Sequence, residues 1–67
     1  MTVQLNGRIV NLPDEVNTVQ DLLRHYQLEN RIVIIELNEK IADKSEYTSL
    51  RITNGDKVEM IHFVGGG

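Results

Sequence analysis

The chain has 67 residues, a formal net charge of −3, 40% hydrophobic and 25% charged residues, and no cysteine. That length makes one domain which buries only about 60% of its unfolded surface, leaving little room for a deep catalytic pocket. The composition excludes a disordered chain. The missing cysteines exclude disulfides, thiolate metal sites and a thiol nucleophile, and the acidic balance disfavours nucleic acid as a partner.

At the amino end, Val3-Gln4-Leu5 and Arg8-Ile9-Val10-Asn11-Leu12 flank Asn6-Gly7. Asn-Gly between alternating runs predicts a type I′ hairpin, because both central residues need positive φ. A two-residue loop sets Leu5 opposite Arg8, Gln4 opposite Ile9 and Val3 opposite Val10. Val3, Leu5, Val10 and Leu12 then share one core-facing side. Pro13-Asp14-Glu15 breaks the strand. Thr18-Val19-Gln20-Asp21 is a capping-box start with aspartate in place of glutamate. Val19, Leu22, Leu23 and Tyr26 recur at i, i+3, i+4 and i+7, predicting the buried face of a helix of about three turns, with Tyr26 in the core and Asn30 as a left-handed stop.

Ile32 to Leu37 is β-branched and predicts a central strand covered on at least one side. Asn38-Glu39 reads as a turn, Lys40-Ile41-Ala42 as a short strand, Ser45 to Ser49 as a loop or single helical turn, and Leu50-Arg51-Ile52 as weakly strand-like. Asn54-Gly55-Asp56 is a second tight turn, and Lys57 to Val64 is the last strand. One helix on a small mixed sheet of four to five strands gives a two-layer α+β domain over residues 1–64, followed by a flexible glycine tail over 65–67. On the last strand Val58 and Met60 alternate with Glu59, Ile61 and Phe63. With the former pair beneath the helix, Ile61 and Phe63 face outward as an apolar patch rimmed by acids, the character of a docking surface.

Gly65-Gly66-Gly67 projects a carboxylate roughly 10 Å beyond Val64, with no Cβ atom to obstruct entry into a narrow tunnel. Such an end suits a terminus that is itself the reactive group; a frayed end or an expression scar has the same composition. His25 and His62 lie in different elements, and no metal-ligand spacing is visible, so no metal site is expected. Ser45, Thr48 and Ser49 have no neighbouring histidine to activate them. No charged n-region precedes an apolar run, and Ile32 to Ile35 is too short to span a bilayer. The expectation is a soluble, cytoplasmic protein with neither nucleic acid nor membrane as a partner.

Val33-Ile34-Ile35-Glu36-Leu37-Asn38-Glu39-Lys40-Ile41, Ser45-Glu46-Tyr47 and the run from Asn54 to Gly67 resemble the ThiS family of sulfur carriers in thiamin biosynthesis. Leu5-Asn6-Gly7 and Thr18 to Leu23 match the family as well. Its most specific part is Gly55-Asp56-Lys57-Val58-Glu59 leading into Val64-Gly65-Gly66-Gly67. The chain departs from the pattern at Ala42-Asp43-Lys44, where many members carry a proline and a basic residue. The resemblance implies a ubiquitin-like β-grasp fold. It implies that a ThiF-like adenylyltransferase uses ATP to adenylate the Gly67 carboxylate. Sulfur, drawn from a cysteine desulfurase, then replaces AMP to leave a thiocarboxylate, and thiazole synthase takes that sulfur. The chain itself would bind no cofactor and be no enzyme, since it has no phosphate loop of its own. Glu59, Ile61, His62, Phe63 and Val64 are the candidate partner contacts. Asp56 is a further acid that can meet a basic partner surface. Three readings stay open: the thiazole sulfur carrier; a molybdopterin-type carrier or ubiquitin-like modifier; and a plain β-grasp interaction module.

Overall fold

The computed structural model describes residues 1–62. Strands β1 (Thr2–Leu5) and β2 (Arg8–Asn11) form the first hairpin. Its register sets Leu5 against Arg8, Gln4 against Ile9 and Val3 against Val10, as expected. Asn6 and Gly7 hold φ of 49° and 82°, the two positive values a type I′ turn needs. Val3, Leu5 and Leu12 are buried, Val10 is half-buried against the same core, and Ile9 on the opposite side is exposed.

Helix α1 (Val19–His25) starts as the sequence predicts. Asp21 N–H donates to Thr18 Oγ1 at 3.1 Å, and Thr18 N–H donates back to Asp21 Oδ2 at 3.1 Å. Asn17 N–H adds a third bond, to the same Asp21 oxygen, at 3.0 Å. These backbone donors hold the Asp21 carboxyl below its ordinary pKa.

The helix stops earlier than expected, after two turns rather than three. Gln27, not Asn30, takes the left-handed conformation at φ 60°. Gln27 N–H donates to Arg24 C=O at 3.0 Å and Leu28 N–H to Leu23 C=O at 2.8 Å. The two bonds together are a Schellman stop. Tyr26 thereby becomes the C-cap and leaves the core. It is 38% exposed and sits edge-on to His25.

The buried tyrosine is Tyr47, which follows a 3₁₀ turn over Lys44–Glu46. Its hydroxyl donates to Val33 C=O at 3.4 Å. Burial, then the negative field of Asp43, push its phenol above its ordinary pKa. At the family departure, Asp43 N–H donates to Glu46 Oε1 and Ser45 Oγ bonds the Asp43 carboxylate. The segment from Leu50 to Ile52 forms no strand: Arg51 makes an isolated bridge to Thr18, and Ile52 enters the core.

β3 (Val33–Leu37) and β4 (Lys40–Ile41) form the second hairpin, turned by Asn38 and Glu39 at φ 52° and 72°. Ile32 lies outside β3 and is exposed. β5 (Lys57–His62) runs between the hairpins, parallel to β1 and antiparallel to β3. The five-stranded order is β2-β1-β5-β3-β4, so β5 and not β3 is the middle strand. This is the β-grasp arrangement. The core lies between helix and sheet, where Val19 and Leu22 pack with Val3, Ile35 and Val58, all with essentially no exposed surface. Helix-on-sheet burial of this kind contributes about 1.5–3 kcal/mol for each such side chain.

Candidate functional site

β5 carries Glu59, Ile61 and His62, and two chemistries divide along it by the period of two. Val58 and Met60 belong to the helix-facing side: Val58 is fully buried and Met60 packs on the core. Glu59 and Ile61 point to the open face. The register with β3 sets Ile61 beside Ile34 and Glu59 beside Glu36, and the next pair on β4 sets Ile41 beside Glu36. The outward residues therefore make an apolar pair, Ile34 and Ile61, next to a carboxylate pair, Glu36 and Glu59. Ile41 stands beyond Glu36, at 73% exposure.

Like charges directly opposite in a sheet are destabilising, so Glu36 and Glu59 repel in the free protein. An apolar surface carrying a guanidinium or ammonium group would cover the isoleucines and relieve that repulsion together. The expectation for Ile61 thus holds: it is outward and 47% exposed, while Val58 and Met60 lie inward. Glu59 joins it on this face. Ile34, Glu36 and Ile41 complete the face, and the sequence analysis did not single them out. The signal available for them was the two-residue hairpin at Asn38-Glu39, which sets the register once β3 is known to face solvent on one side.

His62 is paired with Val33 and has the helix-side parity, so the structure does not bring it onto the face with Glu59 and Ile61. Asp56 is engaged locally. Its Oδ2 accepts from Thr53 N–H at 2.8 Å and its Oδ1 from Asn38 Nδ2 at 3.1 Å, which locks the Asn54-Gly55 turn against the second hairpin. Phe63, Val64, Gly65, Gly66 and Gly67 lie outside the described residues.

Two asparagines fasten β5. Asn38 N–H donates to Lys57 C=O at 2.8 Å, and Lys57 N–H donates to Asn38 Oδ1 at 3.0 Å. On the other side Asn6 N–H donates to Val58 C=O at 2.9 Å, Met60 N–H donates to Asn6 Oδ1 at 2.7 Å, and Asn6 Nδ2 donates to Met60 C=O at 3.1 Å. The Lys57–Glu39 ion pair, at 3.4 Å between exposed side chains, adds little. Among the described residues, no group of three or more histidines or acids is arranged to hold a metal, and no helix is long and apolar enough to cross a membrane.

The model of the ThiS family matches residues 3–67. The sulfur carrier protein ThiS of Bacillus subtilis (strain 168) is 48% identical over 97% of this chain and 98% of its own. A thiazole synthase of Paramagnetospirillum magneticum is 36% identical over the whole of this chain, which spans 20% of that protein. The crystal structure of the thiamine biosynthesis protein ThiS from Geobacter metallireducens superposes with a TM-score of 0.82 at 26% identity, and each chain is covered in full. Fold, register and full-length sequence match agree: the chain belongs to the ThiS family.

Proposed function

We propose that this protein is a sulfur carrier of thiamin biosynthesis whose Gly67 carboxylate is the working group. The observation that carries this reading is the near-complete alignment with the Bacillus sulfur carrier, within a family match that extends through the three glycines. In the proposed sequence, a carboxylate oxygen of Gly67 attacks the α-phosphorus of ATP on an adenylyltransferase. An acyl–O–P bond forms, the Pα–O–Pβ bond breaks and pyrophosphate leaves. A persulfide sulfur, supplied by a cysteine desulfurase, then attacks the acyl carbon and expels AMP. A thiol reductant cleaves the resulting acyl disulfide to the thiocarboxylate.

Activation is needed because a carboxylate is a poor electrophile. Binding of ATP and stabilisation of the transition state fall to the partner. The carrier contributes a docking face and a correctly aimed end. The face with Glu59, Ile61, Ile34 and Glu36 suits an apolar partner surface with basic groups, and β5 is the strand whose sequence continues into Phe63 to Gly67. A thiazole synthase is the proposed sulfur acceptor. The support is the thiazole synthase chain in which a segment similar to this protein accounts for a fifth of the length.

Intact-mass analysis with C-terminal fragmentation tests the reading. The protein is purified from cells that also express the adenylyltransferase, desulfurase and synthase. A sulfur-for-oxygen substitution located at Gly67 and removed by thiocarboxylate alkylation is the expected result. Location matters because oxidation of Met1 or Met60 adds nearly the same mass. An unmodified Gly67 under ATP-replete conditions would overturn the carrier reading in favour of a conjugated modifier or a passive binding module.

A further inference from the structure

We propose that Asn6 is a positioning residue for the C-terminal segment, an inference that rests on the carrier reading above. The first strand leaves the sheet at Asn6-Gly7, where both residues have positive φ. A parallel neighbour continuing along β5 would supply main-chain groups to Met60. The turn takes those groups away, and the Asn6 carboxamide stands in for them. Its Oδ1 accepts from Met60 N–H at 2.7 Å, and its Nδ2 donates to Met60 C=O at 3.1 Å. One side chain satisfies both polar groups of one strand residue, 54 positions away in sequence. Residues 62 and 33 are the last paired rung on the β3 side. Asn6 therefore extends two-sided pairing of β5 to within seven residues of Gly67.

The consequence is geometric. Without the carboxamide, β5 is paired on both sides only to Val58. The freed stretch grows by two residues, and its reach by about 7 Å. A longer tether spreads the reacting carboxylate over a larger volume and lowers the fraction poised in line with the α-phosphate of ATP. Effects of this kind act on the chemical step, since small misplacements cost large factors in rate. The outer face with Ile34 and Ile61 keeps its β3–β5 pairing, so partner affinity is preserved.

Two variants remove the carboxamide pairing and keep the turn. Asn6→Gly relieves the left-handed backbone, and Gly-Gly is a favoured type I′ pair; Asn6→Asp makes Asp-Gly, which is also favoured. Asp retains an acceptor for Met60 N–H but sets a carboxylate against Met60 C=O. Each variant and the unaltered chain are assayed by ATP–pyrophosphate exchange with a purified ThiF-like adenylyltransferase, alongside amide hydrogen exchange. The expected result is a fall in kcat of about tenfold in both variants. KM for the carrier stays within about twofold, and the Met60 amide exchanges about tenfold faster. Unchanged kcat in a folded Asn6→Gly protein would overturn the proposal and leave Asn6 a turn residue only. Unchanged Met60 exchange would overturn it as well. If the unaltered chain itself supports no exchange of pyrophosphate, the carrier reading fails, and the positioning role falls with it.

Discussion

Asp21 shows how a single carboxylate can make a helix start depend on pH. It accepts from the main-chain N–H of Asn17 and Thr18, bonds that favour its ionised form, and Arg24 adds a weaker attraction. Its folded-state pKa is lowered, so its contribution to stability is complete at neutral pH, where the group is ionised both folded and unfolded. The contribution shrinks as pH falls through the ordinary carboxylate range and is gone below the folded value. Asp21→Asn is thus expected to melt lower than the unaltered chain at pH 7, with the difference closing as pH approaches 3. Thermal melts across that range decide it; a constant gap would sink the linkage. This cap was legible in the sequence because Thr18 and Asp21 lie within one turn of each other. The exchange of roles between Tyr26 and Tyr47 was not. Periodicity assigns Tyr26 to the buried face, but a main-chain reversal at Gln27 swings it out. Tyr47 is buried by contacts across the domain that no local pattern carries.

At the scale of elements, turns with a glycine or asparagine were read correctly, and turns without one were not. Asn6-Gly7 announced its hairpin and register in full. Gln27 ends α1 in a conformation that costs a non-glycine residue roughly 1–2 kcal/mol, so nothing in the residue type marked the stop. The Schellman bonds and the packing of Leu28 on the core hold it there. Gln27→Gly should remove that strain at some cost in unfolded-chain entropy, for a net stabilisation of about 0.5–1 kcal/mol. Urea denaturation measures it directly. A loss of stability would mean that the Gln27 side chain makes contacts that outweigh its backbone strain.

For the whole molecule, the two faces of the sheet have different tasks. One is filled by α1 and the segments around Tyr47 and Ile52; the other presents Ile34, Ile61, Glu36 and Glu59 without cover from the chain's described residues. Ile61→Asp adds a third acid beside the carboxylate pair but touches no buried side chain. It is expected to lower the affinity for the proposed adenylyltransferase by at least about tenfold, as loss of a central apolar anchor does. The change in Tm should stay within a few degrees. Titration calorimetry and a melt measure both; unfolding of the variant would show that the outer face supports the fold itself. Sequence alternation found this face through Ile61. It could not supply Ile34 and Ile41, because their approach to Ile61 depends on the pairing of β5 with β3, two segments more than twenty residues apart.

The strand order also governs when the molecule can come into being. The two hairpins never pair with each other; β5, residues 57–62 of 67, lies between them. During synthesis the hairpins and helix can form locally, but the sheet has no middle until nearly the whole chain has left the ribosome. The parallel β1–β5 contact closes a loop of some fifty residues, the slow, entropically expensive kind of step that sets folding rates. Folding thus waits on the segment that leads directly into the three glycines. A chain cut short before β5 would leave two unjoined hairpins, with the edges meant for β5 open to other chains and a ready target for proteolysis.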